Sequence, residues 1–205
     1  LPDLSVRTTI ACQILDGLRE NIPSSTACLR GSLANGTSDA YSDIDVLWEV
    51  DDAQFPSAVR NIHDCLSKIH VIQSLRIDPE FRNSPRHRLI FLRFEDLPPF
   101  WRVDLEIFAR SALRNPDCDP RASDLPSDWS LTESALANAV AAIKACKRGK
   151  PKQAQKLLEG AFVRLNLQLT AVGAQEAIMQ LLNHAKKTDS RCTTLASEIE
   201  RLISL

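Results

Sequence analysis

Several features are missing from this 205-residue sequence, and each absence closes off a class of protein. No apolar run approaches the roughly 18 residues a membrane-spanning helix needs. The opening Leu1-Pro2-Asp3-Leu4 lacks the basic start and apolar stretch of a secretory signal, and the absent initiator Met is what a chain cut from a longer one would show. The six cysteines (Cys12, Cys28, Cys65, Cys118, Cys146, Cys192) form no Cys-x-x-Cys pair, and no His stands at zinc-finger spacing. Most fall on apolar helix or strand positions, where they read as small hydrophobes in a reducing, cytoplasmic setting. His63, His70, His87 and His184 show no His-Glu-x-x-His pairing, which leaves surface or hydrogen-bonded core roles. There is no internal repeat and no low-complexity tract. With 44% apolar and 25% charged residues, disorder, collagen and coiled coil are all excluded in favour of an ordinary globular chain.

Lysine is scarce where it would be expected: Lys68 is the only one before position 144. The net charge of −1 argues against a bulk nucleic-acid binder, yet it hides an asymmetry. Residues 1–125 hold 14 Lys and Arg against 19 Asp and Glu, whereas residues 126–205 hold 11 against 7. Two parts with different tasks are implied.

The hydrophobic pattern agrees. Val6, Ile10, Ile14 and Leu18 recur every four residues, predicting a helix over 5–20 that Pro23 closes. Strands are expected at 26–30, 43–50, 71–77, 87–94 and 101–108, with a helix over 54–70. This is an α/β (or α+β) part built on a mixed central sheet, over 1–114. The segment 115–128, with three prolines and four aspartates, reads as a linker. Beyond it, over 129–205, the pattern is wholly helical. Helices expected at 131–148, 152–170, 174–187 and 191–204 form a C-terminal helical bundle.

One constellation stands out. A buried strand runs through Leu29-Arg30 into Gly31-Ser32, and ten residues later Asp43-Ile44-Asp45 leads a second apolar strand. A glycine permits close backbone approach to a ligand, and Ser32 would open a short helix whose amides and hydroxyl suit a phosphate. Asp43 and Asp45, two apart, share a strand face, with Ile44 and Val46 on the other. The later strand Arg102-Val103-Asp104-Leu105-Glu106-Ile107 supplies a third carboxylate at Asp104, on the same face as Arg102 and Glu106. Two like charges about 4 Å apart repel by roughly 4 kcal/mol at an effective dielectric near 20, so such a cluster calls for a counter-charge. Hard carboxylates without His or Cys select Mg²⁺ or Mn²⁺. A second Asp-x-Asp, Asp117-Cys118-Asp119, has no Gly-Ser strand before it and reads as solvated loop.

Gly31-Ser32, Asp43-x-Asp45 and the later-strand Asp104 together resemble the DNA polymerase beta-type nucleotidyltransferase superfamily. The run Arg-Gly-Ser-Leu-Ala-Asn-Gly to Tyr-Ser-Asp-Ile-Asp is similar to its small bacterial members, the aminoglycoside, lincosamide and toxin–antitoxin nucleotidyltransferases. The resemblance implies a nucleotidyltransferase fold over roughly 24–108. It implies that Gly31 and Ser32 hold the β- and γ-phosphates of an NTP, with ATP the first candidate. Asp43 and Asp45 would hold two Mg²⁺ (or Mn²⁺) ions, and Asp104 the catalytic ion while helping to deprotonate the acceptor hydroxyl.

Around this set lie residues whose reading stays open. Glu106 suits a base, a substrate ligand or an exposed carboxylate; Arg102 suits charge compensation or a phosphate contact. Ser42 suits loop orientation or simple surface polarity, and Gly36 a backbone requirement. Lys144, Lys147 and Arg148, at i, i+3 and i+4, share a helix face and read as a solvated helix end or as a nucleotide-phosphate clamp across a cleft. Arg164, on an otherwise apolar helix, reads as a further phosphate-clamp candidate or as an ion pair at a buried or interface position. The expected activity is transfer of a nucleoside monophosphate from an NTP to a small-molecule hydroxyl, such as that of an aminoglycoside or lincosamide antibiotic, releasing pyrophosphate. An antibiotic-resistance, cytoplasmic enzyme that is a monomer or homodimer, with no membrane and no broad nucleic-acid partner, fits this reading. The alternatives are a toxin–antitoxin nucleotidyltransferase acting on a protein or tRNA end, and a catalytically silent nucleotide-binding module.

Overall fold

The computed structural model describes residues 3–114 and 129–203. The expected linker at 115–128, and with it Cys118 and the second Asp-x-Asp, lies outside the described residues. The chain divides into two units, Leu1–Trp129 and Ser130–Leu205.

The first unit is a five-stranded mixed sheet with helices. Its elements are α1 (Leu4–Asn21), β1 (Thr26–Leu29), α2 (Gly31–Ala34), β2 (Ile44–Val50), α3 (Phe55–Ser67), β3 (Ile72–Ile77), β4 (His87–Phe94), β5 (Val103–Ala109) and α4 (Arg110–Arg114). The sheet order is β1-β2-β5-β4-β3. Only β2 and β5 run parallel; every other pair is antiparallel.

Strict alternation builds the two sheet faces. Ile44, Val46, Trp48 and Val50 of β2 are buried, as are Val103, Leu105, Ile107 and Ala109 of β5. They join Ile10, Ile14 and Leu18 of α1 and Phe55, Ala58, Ile62 and Leu66 of α3 in one core. The opposite face keeps Asp45, Leu47 and Glu49 beside Asp104, Glu106 and Phe108, all half-buried. A three-residue turn at Pro99–Trp101 delays β5 to Val103 and sinks Phe100 and Trp101 into the interior.

Helix α1 departs from the expected stripe. Val6 is exposed, and its place on the buried face goes to Arg7, which is 1% exposed. The cysteines also divide. Cys65 and Cys192 are buried, and burial pushes the Cys192 thiol up to about 11, so it stays protonated. Cys12, Cys28 and Cys146 are exposed, so the expectation that most cysteines pack as hydrophobes fails for these three.

The second unit holds α5 (Leu131–Lys147), α6 (Pro151–Arg164), α7 (Ala174–Thr188) and α8 (Thr193–Ile203). Ser130 caps α5 by accepting the Glu133 amide at 3.0 Å, and small residues such as Ala135, Ala139 and Ala142 give it a closely packed face. Helix α5 stops where Gly149 takes φ 68°, with Gly149 N–H bonding Cys146 O and Lys150 N–H bonding Ala145 O. Helix α6 ends six residues before the expected position, by the same device. Asn166, at φ 52°, donates to Val163 O, and Leu167 donates to Phe162 O. Helix α8 begins at Thr193 because Ser190–Cys192 form a separate tight turn. Among the described residues no helix is long and apolar enough to cross a membrane.

Two tests follow from these helix ends. Asn166→Gly should leave stability unchanged or raised, whereas Asn166→Val should cost about 1–2 kcal/mol, read by urea unfolding, because only the first accepts a left-handed backbone freely. Asp189, which accepts from Ser130 Oγ and from Arg191, has its carboxyl pulled down to about 2, chiefly by the Arg191 hydrogen bond. Its contribution is therefore present above pH ~4 and lost as pH falls towards 2; Asp189→Asn should remove that part of the acid dependence in a pH series of melting curves.

Candidate active site

Parallel pairing of β2 with β5 sets the site. Asp45 and Asp104 are register partners on adjacent strands, and both project from the open face because their neighbours are core. Asp43 lies immediately before β2 and continues its alternation: Ser42 and Ile44 are buried, Asp43 half-buried. The structure thus carries Asp43, Asp45 and Asp104 on one side of the sheet.

Gly31 explains itself at this point. Its φ is 58°, and a Cβ there would collide with Asp45 Oδ2. The close approach anticipated for a ligand is made first by the Asp45 carboxylate, which packs against the Gly31 backbone. The Arg30 amide also donates to Asp45 O at 2.8 Å, tying the start of α2 to β2. Ser32 is half-buried on α2, as the sequence placed it. Gly36, at φ 67°, has open space where a Cβ would stand, so its requirement is conformational alone.

The loop before Asp43 is fixed from below. Buried Arg7 donates through Nη1 to Asp39 O at 2.6 Å and Ser42 O at 2.9 Å, and stacks over Trp101. Ser42 Oγ donates to Asp39 Oδ1 at 2.9 Å and accepts the Asp39 amide at 3.0 Å, while Trp101 Nε1 donates to Ala40 O at 3.3 Å. Ser42 therefore orients the loop and is not a surface residue. Burial pulls the Arg7 guanidinium below its usual range, and the charges of Asp39 and Asp43 oppose that pull.

Arg102 sits among the carboxylates. Its Nε and Nη2 hold both oxygens of Asp104 at 2.5 and 2.6 Å, and its guanidinium lies over the Phe91 ring at 4.8 Å. Burial alone would lower it; the Asp104 hydrogen bonds, and the charges of Asp104, Asp43 and Asp45, outweigh burial and hold it above its ordinary value. One guanidinium thus feels all three aspartates. A second pair, Arg30 with Glu106, crosses the same face.

Among the described residues, no three His, Cys, Asp or Glu side chains are disposed as a metal cage. The donor set nevertheless fits a hard divalent cation. All three groups are carboxylates, they share one sheet face, and they already gather around one compensating cation, Arg102.

The remaining expectations divide. Lys144 is buried, at 8% exposure, and engaged within the chain, whereas Lys147 and Arg148 are exposed at the end of α5. Arg164 is exposed and donates to Ser134 O at 3.2 Å, so it forms no buried ion pair there. Arg7 and Arg30 escaped the sequence reading. Arg7 had a signal: it stands at the i, i+3, i+4, i+7 and i+11 stripe with Ile10, Ala11, Ile14 and Leu18.

Residues 11–88 match the profile of the nucleotidyltransferase domain family. This stretch of the chain is similar to nucleotidyltransferase domains. The match spans Gly31, Ser32, Asp43 and Asp45, takes in β1 to β3 of the mixed sheet, and stops before Asp104. No curated protein sequence matches the chain. Among solved structures, that of Cid1, described as having RNA terminal uridylyl transferase activity, is 16% identical over 72% of this chain and 41% of its own, with a TM-score of 0.42. A cytoplasmic RNA terminal U-transferase is 13% identical over 75% of this chain and 46% of its own, at 0.42. The GLD-2/RNP-8 complex is 13% identical over 88% and 73%, at 0.41. The chain spans less than half the length of the first two.

The first unit makes unequal demands on its two left-handed glycines, Gly31 and Gly36. Gly31→Ala should cost about 1–3 kcal/mol and displace Asp45, whereas Gly36→Ala, with open space around it, should cost the backbone strain of about 1 kcal/mol alone. Paired urea melts check this; equal losses would show that Asp45 does not press on Gly31.

Proposed function

We propose that the protein transfers a nucleoside monophosphate from an NTP to the hydroxyl of a small-molecule acceptor, with release of pyrophosphate. The observation that carries this reading is the shared open face of Asp43, Asp45 and Asp104, with the Gly31-Ser32 turn pinned against Asp45. Gly31 and Ser32 would offer backbone amides and a hydroxyl to the β- and γ-phosphates. Asp43, Asp45 and Asp104 would hold Mg²⁺ or Mn²⁺, which when bound neutralises the triphosphate and activates the attacking oxygen. Asp104, at the β5 side of the set, would take part in removing the proton from the acceptor hydroxyl. Arg102, stacked on Phe91, fixes the Asp104 carboxylate for that task.

ATP is the first nucleotide to try. The acidic balance of residues 1–125 suits a cationic acceptor such as an aminoglycoside or lincosamide antibiotic. The reaction is positioning plus electrostatic stabilisation, so the carboxylates should dominate turnover. Pyrophosphate release with Mg²⁺, each of the four NTPs and pooled acceptors (antibiotics, RNA 3′ ends, proteins) tests the activity and sorts the acceptor. In the active combination Asp43→Asn should lower turnover by ~10³ or more with an unchanged melting temperature. Near-normal turnover in that variant would remove Asp43 from the site.

A further inference from the structure

The Arg30–Glu106 pair has no role in the set above, and its placement is unusual. Arg30 directly follows β1 and immediately precedes Gly31, and its amide is bound to Asp45 O. Its backbone therefore stands opposite Asp45, whose other register neighbour is Asp104. Glu106 lies two residues beyond Asp104 on β5, on the same open face, register-paired with Leu47. To reach it, the Arg30 side chain crosses β2, a span of about two strand spacings of ~4.8 Å each. The guanidinium is thereby laid across the face that carries the three aspartates.

Stability alone gives little reason for that reach. The Arg30 side chain is 52% exposed and Glu106 30% exposed, and an exposed ion pair contributes roughly 0–1 kcal/mol. Two more exposed pairs, Arg110 with Glu49 and Asp51, join elements at the far end of the same strands without approaching the aspartates. What distinguishes Arg30 is its neighbour: no other arginine adjoins the Gly31-Ser32 turn in sequence.

We infer that Arg30 is a phosphate contact for the bound nucleotide and that Glu106 is a positioning residue that aims it. A guanidinium offers forked donors matched to phosphate oxygens, and such charge-assisted bonds are about twice as strong as neutral ones. Glu106, on rigid β5, holds the long side chain over the site in advance, so less rotamer freedom is lost on binding. The assignment rests on the nucleotidyltransferase reading of the Gly31-Ser32 turn. It gives Glu106 a place that is neither base nor metal ligand, since its carboxylate is directed to Arg30.

The test is equilibrium binding by calorimetry, with Ca²⁺ replacing Mg²⁺ to hold back turnover, using each NTP and its di- and monophosphate. Wild type should favour the triphosphate. Arg30→Gln should weaken triphosphate binding about tenfold or more while changing monophosphate binding less than twofold. Arg30→Lys should restore part of the loss, and Glu106→Gln should weaken triphosphate binding about threefold, since the charge remains but is no longer held. Melting temperatures of all variants separate binding from folding. Unchanged triphosphate affinity in Arg30→Gln would overturn the inference and leave the functional reading standing. Equal losses for tri- and monophosphate, with a lowered melting temperature, would make Arg30 structural and overturn it too. A folded wild type that binds no NTP at all would overturn both.

Discussion

Asp45 and Asp104 are register partners on the one parallel pair of the sheet, so their carboxylates project side by side from strands about 4.8 Å apart. At an effective dielectric near 20, two ionised groups at that spacing repel by roughly 3.5 kcal/mol, a large share of a typical domain stability of ~5–15 kcal/mol. The rest of the site is arranged around this repulsion. Arg102 takes both oxygens of Asp104 while sensing Asp43 and Asp45. Arg7 supports Asp43 from beneath through the loop carbonyls of Asp39 and Ser42. Arg30 reaches across to Glu106. Two of these arginines, Arg102 and Arg7, thus offset the charge of acids that would otherwise oppose folding.

The core makes this crowding unavoidable. Ile44, Val46, Trp48 and Val50 on β2, with Val103, Leu105, Ile107 and Ala109 on β5, are buried against α1 and α3. A slip of one residue in either strand would turn four apolar side chains outward and bury the aspartates. Burial of the apolar set is therefore what keeps Asp45 and Asp104 together despite their repulsion. The same logic reaches Gly31, where the Asp45 carboxylate leaves no room for a Cβ. Gly-Ser and Asp-x-Asp are separated in sequence but are parts of one packing problem.

This division between local and long-range determinants explains what the sequence revealed. Alternation in β2 and β5 is a two-residue period, so the strands, their faces and the outward aspartates were legible from the chain alone, and β4 falls at the expected residues 87–94. The Gly-Ser turn was legible as well, although its reason, contact with Asp45, was not. Arg102 was visible beside Asp104, while its contact with Phe91 needed the β4–β5 register. The partners of Arg7 and Arg30 lie 32 to 76 positions away, and although the α1 stripe marks Arg7 as buried, no periodicity names what either arginine binds. The end of α6 failed differently. The expected helix ran on to 170, and the stop signal inside it was Asn166, a residue whose tolerance of the left-handed region is weaker than glycine's.

Charge at the site is consequently a different quantity from charge along the chain. The acidic excess of residues 1–125 would predict a broad negative field, yet at the sheet face each β5 carboxylate is already held by an arginine. What remains is four carboxylates, Asp43, Asp45, Asp104 and Glu106, against two guanidiniums, Arg30 and Arg102. A triphosphate approaching that face meets a net negative surface and is repelled unless cations accompany it or are offered to it. Under the proposed reading, the three aspartates would take a nucleotide that arrives with its divalent ions, and the two arginines would set how much charge those ions must neutralise. Cationic acceptors gain from the same imbalance only where a carboxylate is left over, which is the Asp43–Asp45 side of the face and not the β5 side.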